Sequence, residues 1–101
     1  MSDTTGSKKG IITVLGGGTM GRGIVHVALA SGFQVWMSDI SEDALEQAVA
    51  GVHKTLGRAV ERGKLSEEDR QSCQSSLQTS IHAAEAAEGA DLVIEAIPES
   101  L

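Results

Sequence analysis

Aromatic side chains are nearly absent from this 101-residue sequence: Phe33 and Trp36 are the whole complement, and there is no tyrosine. That weighs against single-stranded nucleic acid as a ligand, because such sites stack bases on aromatic rings. The core therefore has to be built from Ala, Val, Ile and Leu, the usual filling of a parallel α/β sheet. Bases are scarce too. Eight Lys and Arg stand against 14 Asp and Glu, a formal net charge of −6, which disfavours nucleic acid and anionic membrane surfaces alike. Cys73 is the single cysteine, so neither an internal disulfide nor a multi-cysteine metal site can form. No apolar run reaches the length of a membrane span. Residues 1–9 are polar, without the apolar centre of a signal peptide or the arginines of a mitochondrial presequence. They read as a flexible tail, and the expected location is cytoplasmic. The length allows one small domain, residues 10–101, but not a complete six-stranded dinucleotide-binding sheet.

What is present is organised around Ile11 to Gly23. The β-branched run Ile11-Ile12-Thr13-Val14-Leu15 ends in Gly16-Gly17-Gly18-Thr19-Met20-Gly21, and a helical pattern follows at once. Gly16, Gly18 and Gly21 give the spacing G-x-G-x-x-G at a strand-to-helix turn, and Asp39 lies 18 residues beyond Gly21. This is the dinucleotide-binding arrangement, with its acid about 20 residues on. Gly16 permits the sharp turn, Gly18 lets a pyrophosphate approach the backbone, and Gly21 lets helix and strand pack closely. The first helical turn then aims free N–H groups and the positive end of the helix dipole at the phosphates. Asp39 accepts from the adenosine ribose hydroxyls and disfavours a 2′-phosphate, so the cofactor read here is NAD rather than NADP.

The rest of the chain supplies the scaffold. A first helix over Thr19 to Ser31 carries Met20, Ile24, Val27 and Ala28 on one face and ends at Gly32. Phe33 to Ser38 is the second strand. Ser41 caps a long helix with Leu45, Ala48, Val49, Val52, Leu56, Ala59 and Val60 at helical spacing, running to about Arg62 and stopped by Gly63. Ser66 opens a further helix to about Ser76, which makes a helical hairpin. Leu77 to Ile81 is a short strand, Ala83 to Glu88 a short helix, and Leu92 to Ile97 a strand ended by Pro98. With right-handed crossovers the fold class is α/β: a Rossmann-type doubly wound parallel sheet in the order 3-2-1-4, with the hairpin inserted between strands 2 and 3. The fourth strand is left as a long apolar edge, which needs a partner strand or invites aggregation.

In four pieces the sequence resembles the N-terminal NAD-binding part of the 3-hydroxyacyl-CoA dehydrogenases, the family that includes 3-hydroxybutyryl-CoA dehydrogenases. They are Gly18-Thr19-Met20-Gly21-Arg22-Gly23-Ile24, Asp39-Ile40-Ser41-Glu42, Arg62-Gly63-Lys64-Leu65-Ser66, and Asp91-Leu92-Val93-Ile94-Glu95-Ala96-Ile97-Pro98-Glu99. The resemblance implies NAD contacts at Gly16, Gly17, Gly18, Thr19, Met20, Gly21, Asp39, Ile40, Ala96, Ile97, Pro98 and Glu99. It implies contacts to the CoA moiety at Thr55 and Arg62, a parent enzyme oxidising the 3-hydroxyl of an acyl-CoA in fatty-acid β-oxidation, and a homo-oligomer. It also implies a catalytic histidine held by a glutamate, both beyond the fourth strand, so no catalytic residue is expected in these 101 positions. Two rival readings are a free-standing nucleotide-binding module and the N-terminal half of another NAD-linked dehydrogenase.

The other conspicuous residues read as structural. Lys54, Arg58, Arg62 and Lys64 fall within eleven residues at the end of the long helix, where cations suit the dipole, a reading that stands beside the CoA contact the resemblance implies for Arg62. His26, His53 and His82 have no His or Cys partner at metal-ligand spacing. Cys73, in a polar stretch, reads as an incidental thiol, and Glu95 as a partnered structural residue of the fourth strand.

Overall fold

The computed structural model describes residues 9–96. Four parallel strands, β1 (Ile11–Leu15), β2 (Gln34–Ser38), β3 (Leu77–Ser80) and β4 (Leu92–Glu95), lie in the order β3-β2-β1-β4. The helices are α1 (Thr19–Ala30), α2 (Glu42–Glu61), α3 (Glu67–Ser75) and α4 (Ala83–Ala87). Strand order and hairpin are those read from the sequence.

The local signals act as chemistry requires. Ser41 Oγ accepts the Ala44 N–H at 3.1 Å and Ser66 Oγ the Asp69 N–H at 2.9 Å, capping α2 and α3. Acids fill the first turn of both helices, where the dipole favours them. Gly32 and Gly63 follow α1 and α2 with positive φ and stop them. Asp91 pins the start of the sheet: its Oδ2 accepts the Ile11 N–H at 2.8 Å, and its own N–H donates to Ile11 O at 2.8 Å.

The core lies between the sheet and α1, α2 and α3, and includes Ile12, Val14, Val25, Leu29, Val35, Met37, Val52 and Leu56. Thr13 sits between Ile12 and Val14 and so points to the other face of the sheet. There its hydroxyl, fully buried, donates to Ala86 O of α4 at 2.6 Å. One polar side chain in an apolar strand thus fixes the helix that covers the second face.

Three readings need correction. The buried side of α1 carries Gly21, Val25, Ala28 and Leu29, while Met20 is 55% and Val27 63% exposed. Helix and sheet approach through Gly21, which has no side chain to register in an apolar pattern. Met20 and Val27 instead line an apolar groove with Ile12, Ile24, Phe33 and Ile94. Cys73 is buried, not incidental: it belongs to the core, and its thiol donates to Leu29 O at 3.3 Å. The Glu95 side chain is exposed and makes no hydrogen bond or ion pair among the described residues. At β4, Leu92 and Val93 are exposed along the sheet's open edge.

Removing the Thr13 hydroxyl strands the Ala86 carbonyl. Thr13→Val is expected to lower unfolding stability by about 1–3 kcal/mol, and Thr13→Ser to recover part of it, both read by urea denaturation. Burial, reinforced by the nearby Asp69 carboxylate, raises the pKa of the Cys73 thiol. The native state therefore holds the proton more tightly than the unfolded chain. That contribution to stability is intact below the unfolded pKa of roughly 8.5 and is lost as pH climbs through the raised value. Iodoacetamide is expected to label Cys73 more slowly in the folded than in the urea-unfolded chain, and Cys73→Ala to flatten the alkaline fall in stability.

Candidate functional site

The glycine turn joins the carboxyl end of β1 to α1. Gly16 adopts φ +116°, and its N–H donates to Ser38 O at 2.7 Å, extending the β1–β2 pairing one residue into the turn. Gly21 packs against it so closely that a Cβ there would lie 2.0 Å from Gly16 O. Gly18 is the N-cap of α1 and offers no side-chain cap, and no acid occupies the first turn. The leading N–H groups of α1 therefore remain free to bind an anion. Nothing would lie within 4 Å of a Cβ on Gly18, so its backbone is approachable from solvent.

Asp39, at the end of β2, clasps this turn. Its Oδ2 accepts the Gly17 N–H at 2.9 Å and its Oδ1 accepts the Ser41 N–H at 2.9 Å. Each carboxylate oxygen keeps a further lone pair for a ribose hydroxyl. The sequence reading placed Asp39 at the ribose and missed that it also holds the turn.

A cavity of about 430 Å³ opens at the carboxyl ends of the strands, lined by Leu15, Gly16, Ser38, Asp39, Ile40, Ile81, Ala83 and Glu95. Open α/β sheets bind ligands at this edge. Ile40 is 94% exposed beside Asp39, and Ile81 contributes a second exposed apolar face across the cavity. Ile81 and Ala83 escaped the motif search. Their signal was position alone, immediately after β3. A larger crevice of about 570 Å³, lined by Glu42, Glu46, His82 and Glu85 among others, has walls that would repel a pyrophosphate.

The remaining candidates separate. Thr19 and Met20 are exposed on the first turn of α1. Ala96 is buried, its N–H donating to Leu15 O at 2.8 Å. Ile97, Pro98 and Glu99 lie outside the described residues. Thr55 lines a crevice between α1 and α2 with Arg22 and His26. Arg62 is exposed at the C-cap of α2, two turns further on, and does not line that crevice. Among the described residues, no group of three or more His, Cys, Asp or Glu could hold a metal ion, and no helix is long and apolar enough to cross a membrane.

A glycine turn with an uncapped helix start, a carboxylate at the end of β2 and an apolar cavity wall beside it stand together at the carboxyl ends of the strands. They define a dinucleotide-binding domain of the Rossmann type. The profile of the 3-hydroxyacyl-CoA dehydrogenase NAD binding domain matches residues 11–101. The chain belongs to that family, and NAD is its cofactor. It is 46% identical over 95 residues to the 3-hydroxyadipyl-CoA dehydrogenase of Escherichia coli K12, covering 89% of this chain and 19% of that protein. To the mitochondrial hydroxyacyl-coenzyme A dehydrogenase of Rattus norvegicus it is 41% identical over 95 residues, covering 89% of this chain and 30% of that one. The crystal structure of 3-hydroxybutyryl-CoA dehydrogenase from Escherichia coli K12 superposes with a TM-score of 0.83 at 42% identity, over 90% of this chain and 19% of the other. The chain thus spans less than a third of the length of these relatives.

Gly21 and Gly18 make opposite demands on a methyl group. Gly21→Ala drives Cβ into a backbone carbonyl and is expected to cost about 1–3 kcal/mol or more of stability. Gly18→Ala meets open space at a φ of −77° and is expected to fold with a stability change below roughly 1 kcal/mol. Paired thermal melts of the two variants check this.

Proposed function

We propose that this chain is the cofactor-holding segment of an oxidoreductase that converts the 3-hydroxyl of a 3-hydroxyacyl-CoA to the ketone. NAD bound at the glycine turn supplies the hydride acceptor. The observation that carries the reading is the clasp of Asp39 on Gly17, which sets an uncapped helix start and a ribose-binding carboxylate side by side. The named activities of the relatives, all acting on hydroxyacyl-CoA thioesters, support the substrate class.

In this reading the chain's own residues bind and orient. The first N–H groups of α1, around Thr19 and Met20, take the pyrophosphate. Asp39 accepts from the ribose, and Ile40 and Ile81 enclose the adenine between apolar faces. Thr55 and Arg62 meet the CoA moiety from α2. The base that takes the hydroxyl proton is, by the family resemblance, a histidine held by a glutamate beyond the fourth strand, and none of His26, His53 and His82 is given that role. A sequence with one cysteine builds no disulfide framework, which fits a reducing compartment, the cytoplasm in this reading.

Asp39→Asn is the test. The amide nitrogen cannot accept, so either the clasp or the ribose contact is lost. NAD affinity is expected to fall roughly tenfold or more, the effect of one charge-assisted hydrogen bond, while NADP affinity falls less or rises. Calorimetric titration of both cofactors reads this, and equal affinities for wild type and variant would sink the assignment.

A further inference from the structure

Asp39 fixes only half of Gly17. The other half is held by Arg22, on the first turn of α1, whose Nε–H donates to Gly17 O at 3.1 Å. Gly17 is buried, and buried backbone groups need partners. Here both partners are charged side chains: Asp39 Oδ2 takes the N–H at 2.9 Å, and Arg22 meets the carbonyl. Neither Asp39 nor Arg22 forms an ion pair among the described residues, so both charges are directed at the backbone of one residue. The seat of Arg22 is made by α2. A Cβ on Gly51 would lie 3.3 Å from Arg22 Cδ and 3.3 Å from its Nη1, so the guanidinium rests where Gly51 has no side chain. It does not line the cavity beside Asp39.

The peptide joining Gly17 to Gly18 is flanked by two glycines, so steric exclusion alone does not fix its plane. It is trans, and its carbonyl and N–H therefore point in opposite directions. Holding Gly17 O against Arg22 Nε turns the Gly18 N–H the other way. That N–H has no hydrogen-bond partner among the described residues, and it immediately precedes the free donors that lead α1. Were the peptide to flip, a carbonyl oxygen would stand in place of the N–H and repel an anion. We propose that Arg22 is a positioning residue of the cofactor site: its hold on Gly17 O presents the Gly18 N–H to the pyrophosphate of NAD. The backbone meets the phosphate, and the guanidinium acts through it. This rests on the reading of the glycine turn as the pyrophosphate site. It adds a residue for which neither the glycine spacing nor the family resemblance gave a role.

Three substitutions separate positioning from attraction. Arg22→Met removes donor and charge together. Arg22→Gln places an amide N–H as many bonds from Cα as the arginine Nε, and so keeps the donor without the charge. Arg22→Lys keeps the charge but sets a methylene at that place. Calorimetric and NMR titrations of the 101-residue chain with NAD, ADP and adenosine read the result, and thermal melts confirm that each variant folds. Arg22→Met and Arg22→Lys are expected to weaken NAD and ADP about tenfold and to leave adenosine, which has no phosphate, as in wild type. Arg22→Gln is expected to recover most of the loss. Recovery by lysine and not by glutamine would make Arg22 a direct electrostatic partner of the phosphates and overturn the proposal. So would equal weakening of all three ligands, the mark of general damage to the fold, or NAD affinity unchanged in Arg22→Met. A second measurement needs no ligand: in the free wild-type chain the Arg22 Nε–H is expected to exchange with water more slowly than those of Arg58 and Arg62. Equal exchange rates mean that Gly17 O is not held, which also overturns the proposal. Failure of the wild-type chain to bind NAD and ADP would instead count against the cofactor reading of the turn, with the exchange rates still deciding whether Arg22 fixes its peptide.

Discussion

One carboxylate holds the functional end of this protein together. Asp39 takes a backbone N–H from the turn after β1 and another from the start of α2. The ends of two neighbouring strands are thereby tied together at the carboxyl edge of the sheet. A neutral side chain of the same shape would offer one acceptor atom instead of two. The arrangement also ties binding to stability, because ribose hydroxyls would reach the same group that orders the glycine turn. The clasp sets the turn before α1 and the start of α2 beside each other at one wall of the cavity.

Much of this was legible in the sequence, for a physical reason. Ile11 to Gly21 and Asp39 are constrained by local rules: β-branched residues for a buried parallel strand, glycines where a side chain would collide, an acid at a strand end. Local rules survive translation from sequence to structure. The cap residues Ser41 and Ser66 and the stops at Gly32 and Gly63 were readable for the same reason.

What escaped depends on contacts between distant parts of the chain. Met20 and Val27 carry a good helical period, yet the packing face of α1 runs through Gly21, and a glycine contributes nothing to a hydrophobic pattern. Cys73 sits among polar neighbours in a nine-residue helix, and its burial follows from where α3 lands against α1. The Thr13 hydroxyl finds Ala86 O 73 residues away. Ile81 and Ala83 carry no motif and matter only because β3 ends beside Asp39. The crevice of Arg22, His26 and Thr55 exists because Gly51 on α2 makes room for a side chain from α1.

The contrast between Gly21 and Gly18 reaches into how this site can change over generations. Every residue that could replace Gly21 brings a Cβ that strikes the carbonyl of Gly16, so that position is frozen whatever ligand the protein serves. Gly18 meets no such wall. A side chain there meets open space, so it bears on what can approach the backbone and not on the packing of α1. The turn thus divides its labour between a position that packing holds fixed and one that packing leaves open.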